Sequence, residues 1–151
     1  MDVYERLKEL NLTLPELPAK GGIYKPVRQA GNFLYVSGQL PSRAGEPQFT
    51  GKVGSERTVE EAQEAARRCV LNALSNLHHF LGNLNKIKSL VKALAFVQSA
   101  DGFSQQPKVV DAASGLLRDV FGENGAGARS AIGVNELPLG VSVEIEFIFE
   151  V

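Results

Sequence analysis

Apolar side chains recur at helical spacing in three segments of the chain. The longest segment follows Thr58, whose spacing to Glu61 is that of a capping box, and Gly82 is a typical C-terminal stop. A second long helix is predicted behind Pro107, because proline is favoured in the first helical turn. The segment 2–10 predicts a short amphipathic helix. The predicted apolar face of the longest helix consists of Ala62, Ala66, Cys69, Ala73, Leu77 and Phe80.

Strand patterns fill most of the remaining chain. Two strands flank a turn at Gly31-Asn32, a third covers Ile87 to Gln98, and a short one covers Ala128 to Val134. The last strand, Val141 to Val151, alternates almost perfectly between apolar and polar positions. This order of elements predicts an α+β fold in which two long helices cover one face of a mostly antiparallel sheet. Nothing in the chain is left to cover the other face, so we expect a second copy to bury it.

The composition narrows the classes of protein that the chain can belong to. The 151 residues include 16 Lys and Arg and 17 Asp and Glu, which gives a formal net charge of −1. Nucleic-acid-binding domains, in contrast, are usually clearly basic. The longest nearly apolar stretch, Ala93 to Val97, is far shorter than the roughly 18 residues of a membrane helix. The charged N-terminus lacks the apolar core of a signal peptide. We therefore expect one soluble, cytoplasmic domain over residues 1–151, with a helical extension at about residues 1–15.

Metal and thiol chemistry find little support in the sequence. A single cysteine, Cys69, excludes an internal disulfide and a multi-cysteine metal site. Cys69 lies on the apolar face of the predicted helix, which indicates a small core residue rather than a nucleophile. His78 and His79 are adjacent on the same helix and point in different directions. No metal site is therefore expected.

Arg129 is the most informative charged residue. It lies in a predicted strand with two small residues, Ala131 and Gly133, on its own face. A long cation beside small side chains leaves room for an anion, and a guanidinium binds a carboxylate with two parallel hydrogen bonds. The alternative is a structural arginine paired with a glutamate of the last strand. We expect a register that places Arg129 on the side of Glu144, because the other side of that strand is apolar.

Two further groups are candidates for binding or catalysis. Glu144 and Glu146 share one face of the last strand at roughly 7 Å, and each carboxylate disfavours ionisation of the other. This suits one of them for general acid–base chemistry, and the alternative is a solvated strand face. Tyr24 and Ser37-Gly38 flank the first hairpin, where a hydroxyl and a backbone without Cβ can contact a ligand. An ordinary turn and strand end is the alternative there.

Several motifs together resemble the YjgF/RidA family, which is also known as endoribonuclease L-PSP. The resemblance covers roughly Tyr24 to Val151. It implies a chorismate-mutase-like α+β fold assembled as a homotrimer, with ligand sites in the clefts between subunits. The motifs are Tyr24, Gly31-Asn32, Val36-Ser37-Gly38-Gln39-Leu40-Pro41, Arg129-Ser130, Leu137-Pro138 and Val143-Glu144-Ile145-Glu146.

The resemblance also implies an activity. Well-studied members hydrolyse reactive 2-imino or enamine acids to 2-keto acids and ammonia. Because an imine carbon is already electrophilic, this reaction is expected to need no metal or cofactor. The carboxylate-clamping arginine of the family falls on Arg129, and the glutamate that positions water falls on Glu144. A small carboxylic acid is therefore the expected partner, together with two further copies of the chain. The remaining ligand contacts fall on Tyr24, Ser37, Gly38 and Ala131.

The chain departs from the family pattern on both sides of Arg129. Ala131 replaces a cysteine found in many active members, which is tolerable if only the backbone N–H is used. Gly127 and its small neighbours replace a common Phe-Pro pair, which would widen or reshape the pocket. Two alternatives stay open: a non-catalytic trimer that binds small carboxylates through Arg129, and RNA cleavage. The net charge of −1 and the absence of an obvious basic, aromatic-lined face argue against RNA cleavage.

Overall fold

The helices lie where the apolar spacing predicts them. The computed structural model describes residues 2–151. At the start of the longest helix the Thr58 hydroxyl accepts the N–H of Glu61, whose carboxylate accepts the N–H of Thr58, so the predicted capping box is confirmed. Gly82 ends this helix with a left-handed φ of 75°. The α-helices are α1 (Val3–Glu9), α2 (Val59–Leu81) and α3 (Gln106–Phe121).

The strands form one large sheet and one small hairpin. In chain order they are β1 (Val27–Ala30), β2 (Phe33–Gln39), β3 (Ser42–Arg43), β4 (Glu46–Pro47), β5 (Ser89–Gln98), β6 (Ala128–Val134) and β7 (Val143–Glu150). β3 pairs with β4, and the other five strands have the order β1-β2-β7-β5-β6. Three pairings of the large sheet are antiparallel, and β5 and β6 run parallel. The predicted α+β fold is confirmed, with a mixed sheet.

The core lies between one face of the sheet and the two long helices. The alternation of β7 directs its apolar residues towards the helices, where Ile145 and Phe149 are fully buried. Cys69 on α2 is also fully buried, and its Sγ lies 3.8 Å from the carbonyl oxygen of Val143. Burial raises the pKa of the Cys69 thiol well above its ordinary value. Cys69 is thus a core residue, as predicted, whereas Phe80 at the end of α2 is 44% exposed rather than buried.

The opposite face of the sheet is uncovered within the chain. The polar positions of β7 point to this side, together with their cross-strand partners on β2 and β5. Three large apolar side chains, Phe33, Tyr35 and Ile132, are between 40% and 47% exposed there. We call this surface the open face. Its apolar residues agree with the expectation that a second copy covers it, and the assembly itself stays a prediction.

Candidate functional site

The position of β6 decides where Arg129 points. β5 lies between β6 and β7, and the cross-strand partners run from Arg129 to Ala93 and from Ala93 to Phe147. Paired residues share a face, so Arg129 lies on the helix side with the buried Phe147. The prediction that Arg129 shares the face of Glu144 is therefore wrong. It treated β6 and β7 as neighbours in a hairpin, whereas β6 is the edge strand.

Arg129 is held by polar groups of α3. Its Nη1 donates to Ser114 Oγ at 3.0 Å, and its Nη2 donates to the carbonyl oxygen of Pro107 at 3.3 Å. Its Nη2 also lies 2.8 Å from Oδ1 of Asp111, in an ion pair with side chains 26% and 67% exposed. These contacts let a charge lie beside an apolar core. The alternative of a pair with a glutamate of the last strand is also wrong.

Asp111 and Ser114 are residues that the sequence analysis missed. They are three positions apart on α3, so both side chains lie on one face of that helix. The signal was present in the sequence, since an acidic and a hydroxyl residue interrupt a segment rich in alanine and valine. Recognising it as an arginine site required the knowledge that β6 packs under α3.

Glu144 lies against the backbone of Gly38. β2 has a bulge between Val36 and Gln39, and this bulge contains Ser37 and Gly38. A Cβ atom at Gly38 would lie 2.5 Å from Oε2 of Glu144. Glycine is therefore required for the carboxylate to occupy this position. The expected contact between Gly38 and a ligand stays a prediction.

The environment of Glu144 favours its protonated form. Burial raises the pKa of the Glu144 carboxyl above its ordinary value, and the negative charge of Glu146 raises this pKa further. The expected coupling between the two carboxylates is present, but burial is the larger cause. A carboxyl with a raised pKa exchanges protons more readily near neutral pH, which suits acid–base chemistry.

Ser37 belongs to this bulge, and Tyr24 lies next to it. The Tyr24 hydroxyl accepts the N–H of Gly21 at 3.3 Å, and Ser37 Oγ donates to the carbonyl oxygen of Lys25 at 2.7 Å. Tyr24 and Gly38 line one cavity of about 190 Å³, and the Tyr24 side chain is 44% exposed. Four predicted site residues are thus gathered around the bulge, namely Tyr24, Ser37, Gly38 and Glu144.

The other two predicted site residues form a separate group. Arg129 and Ala131 lie on the helix side of β6, at the edge of the sheet. The two glycines shortly before Arg129, Gly125 and Gly127, do not widen a pocket, because neighbouring backbone lies close to both. A Cβ at Gly125 would lie 2.2 Å from the carbonyl oxygen of Leu117, and one at Gly127 would lie 2.6 Å from that of Leu90. These glycines let backbone segments pack closely.

Residues 2–151 contain no group of three or more His, Cys, Asp or Glu side chains arranged to hold a metal ion. None of the helices described is long and apolar enough to cross a membrane. The expected cytoplasmic location stays a prediction.

One known protein family matches almost the whole chain. The family described as "YjgF/chorismate_mutase-like, putative endoribonuclease" matches residues 4–150. The chain belongs to this family. The resemblance of its motifs to YjgF and RidA proteins is thereby confirmed.

Similar proteins cover the full length of the chain. "Protein TCP17" of Trypanosoma cruzi is 40% identical over 149 residues, which are 98% of this chain and 93% of that protein. Two solved structures also match it closely. Atu1372 of Agrobacterium tumefaciens, described as of unknown function, is 43% identical with a TM-score of 0.90, over 99% of this chain and 93% of that one. A "putative endoribonuclease" of Shewanella oneidensis is 31% identical with a TM-score of 0.96, over the whole of both chains.

A more distant match connects the chain with a protein named RidA. The structure of RidA from an Antarctic Psychrobacter is 26% identical with a TM-score of 0.61, over 90% of this chain and 94% of that one. The YjgF/chorismate-mutase-like fold is thus shared with all three solved structures. By TM-score, the structures from Agrobacterium tumefaciens and Shewanella oneidensis are more similar to this chain than RidA is.

Proposed function

We propose that the protein hydrolyses reactive 2-imino acids to 2-oxo acids and ammonia, in clefts between the subunits of a homotrimer. The observation that carries the proposal is the position of Arg129 at the free edge of the sheet. One chain keeps Arg129 and Glu144 on opposite faces, so a neighbouring chain has to supply one of them. The open face, with its exposed Phe33, Tyr35 and Ile132, offers the contact surface for that neighbour.

Arg129 acts in this proposal as the clamp for the substrate carboxylate. Two parallel hydrogen bonds from a guanidinium fix the orientation of the acid as well as its charge. Ser114 and the Pro107 carbonyl hold the guanidinium in place from α3. The backbone of Ala131, two residues along the same face, lies beside the bound acid in this arrangement.

Glu144 of the neighbouring chain acts as the acid–base group. An imine carbon is already electrophilic, so its hydrolysis needs orientation, a positioned water and a route for protons. Glu144 accepts a proton from the water as the water oxygen bonds to C2, the C2–N π electrons move to the imine nitrogen, and Glu144 passes the proton to that nitrogen. Glu144 then takes the proton of the new C2 hydroxyl and delivers it to the nitrogen as the C2–N bond breaks, so the carbonyl forms and ammonia leaves. Gly38 lies against Glu144, and Tyr24 and Ser37 at the same bulge complete this half of the site.

The first test measures hydrolysis of freshly generated 2-iminobutanoate and 2-iminopropanoate with and without the protein. We expect acceleration by the native chain, and its loss in Arg129→Ala and in Glu144→Gln with the assembly intact by light scattering. A dissociated Arg129→Ala variant would instead assign Arg129 to structure. If the native trimer binds 2-oxobutanoate but does not accelerate hydrolysis, the protein is a carboxylate-binding protein and not an enzyme for these imines.

A mixed-subunit experiment tests the shared cleft directly. When Arg129→Ala and Glu144→Gln chains are unfolded together and reassembled in equal amounts, some clefts receive both native residues from different chains. In a cyclic trimer with random mixing, about a quarter of the clefts are restored, and so is about a quarter of the native rate. No recovery from well-formed mixed trimers would contradict a site shared between subunits.

A further inference from the structure

Asp111 occupies the place that a ligand carboxylate would take on Arg129. Its Oδ1 lies 2.8 Å from Nη2 of Arg129, and its own side chain is 67% exposed. The proposed function treats this guanidinium as the clamp for a substrate acid. The Asp111 carboxylate thus already occupies the guanidinium that is proposed to bind the substrate carboxylate.

The pair that Asp111 makes is weaker than the pair that a ligand can make. The contact joins Oδ1 of Asp111 to Nη2 of Arg129, and two thirds of the Asp111 side chain is exposed to solvent. A free carboxylate that approaches in the plane of the guanidinium makes two parallel hydrogen bonds, which are stronger and better oriented. Exposed ion pairs contribute little, so Asp111 can be displaced by a modest ligand concentration.

The guanidinium keeps its position when Asp111 leaves. Ser114 Oγ and the Pro107 carbonyl hold Nη1 and Nη2 independently of the aspartate. Asp111 itself stays within reach, because it is anchored one turn before Ser114 on α3. A negative charge therefore remains next to the occupied clamp.

We infer that Asp111 is an internal competitor for Arg129, and that it selects monocarboxylates over dicarboxylates. This inference rests on the clamp role of Arg129 in the proposed function. A ligand with one carboxylate displaces Asp111 and leaves its charge facing water. A ligand with a second carboxylate brings another negative charge close to the displaced Asp111, and like charges at short range repel.

The test measures the Kd values of 2-oxobutanoate and 2-oxoglutarate by titration calorimetry at low salt. In Asp111→Asn we expect binding of 2-oxobutanoate to tighten roughly twofold to fivefold, the range for removal of an exposed ion pair. Binding of 2-oxoglutarate should tighten by a larger factor. Asp119→Asn is the matched control, because it removes one negative charge from an exposed position of the same helix without touching Arg129. That control should leave both Kd values unchanged.

The outcomes separate this inference from the proposed function. Unchanged or weaker binding of 2-oxobutanoate in Asp111→Asn, with binding lost in Arg129→Ala, overturns only the competitor role. An equal gain for both ligands overturns the selection against dicarboxylates. Binding that survives in Arg129→Ala, or the absence of binding by both the native chain and Asp111→Asn, overturns the clamp and with it the proposed site.

Discussion

Replacing Gly38 by alanine displaces the Glu144 carboxylate with little effect on the fold. The added Cβ would lie 2.5 Å from Oε2, 3.0 Å from Cδ and 3.3 Å from Cγ of Glu144. Ordinary contacts of this kind begin near 3.4 Å, so the carboxylate has to move by roughly 1 Å. Gly38 is not among the residues with positive φ, so alanine fits its backbone without strain. The clash is with the end of a flexible side chain, and we expect the free energy of unfolding to change by less than about 1 kcal/mol.

The effect on activity is expected to be much larger than the effect on stability. A displacement of about 1 Å at a catalytic group lowers rates by around a hundredfold, so kcat/KM for 2-iminobutanoate should fall by about that factor. The double variant Gly38→Ala, Glu144→Gln should be no slower than Glu144→Gln alone, because both changes act through one carboxylate. Wild-type activity in Gly38→Ala would refute the role of Glu144. A further loss in the double variant would assign Gly38 a role of its own.

Three further predictions concern stability, each measured by urea unfolding. The raised pKa of Glu144 means that the folded native chain keeps a proton that the unfolded chain releases, so the native chain loses stability as the pH rises from 4 to 7. Glu144→Gln lacks this loss and should therefore become more stable relative to the native chain over that range. A difference that does not change with pH would contradict the raised pKa. Gly125→Ala should destabilise the fold by roughly 1–3 kcal/mol, since its Cβ would meet the rigid backbone of Leu117 at 2.2 Å, and a neutral result would contradict this packing. Gly115→Ala, with no atom within 4 Å of its Cβ, should stabilise α3 by roughly 0.5–1 kcal/mol, and a loss would indicate an unseen contact there.

Local signals predict the elements of this fold well. The capping box at Thr58, the alternation of β7 and the turn at Gly31-Asn32 each depend on interactions within a few residues. Such interactions can be recognised without knowledge of the rest of the chain. Amphipathic spacing also predicts correctly that Cys69 is a core residue.

The relation between Arg129 and Glu144 could not be predicted in the same way. It depends on β5 lying between β6 and β7 and on β6 running parallel to β5. α3 connects β5 to β6 and packs on both strands, and no spacing within β6 or β7 reveals this crossover. Asp111 and Ser114 were missed for the same reason, because their role becomes visible only when β6 lies beneath their helix.

Assembly and chemistry are coupled in the proposed function through the open face. Glu144 projects from this face between Phe96 on β5 and the β2 bulge, and Ile132, one of the exposed apolar side chains of the open face, lies in the same cross-strand row. Packing of a second copy against these side chains would remove water from the carboxylate. Burial already raises the pKa of Glu144 in the single chain, and further desolvation acts in the same direction. The apolar residues that drive association would thus also tune the acid–base group, while the neighbour brings Arg129 to it.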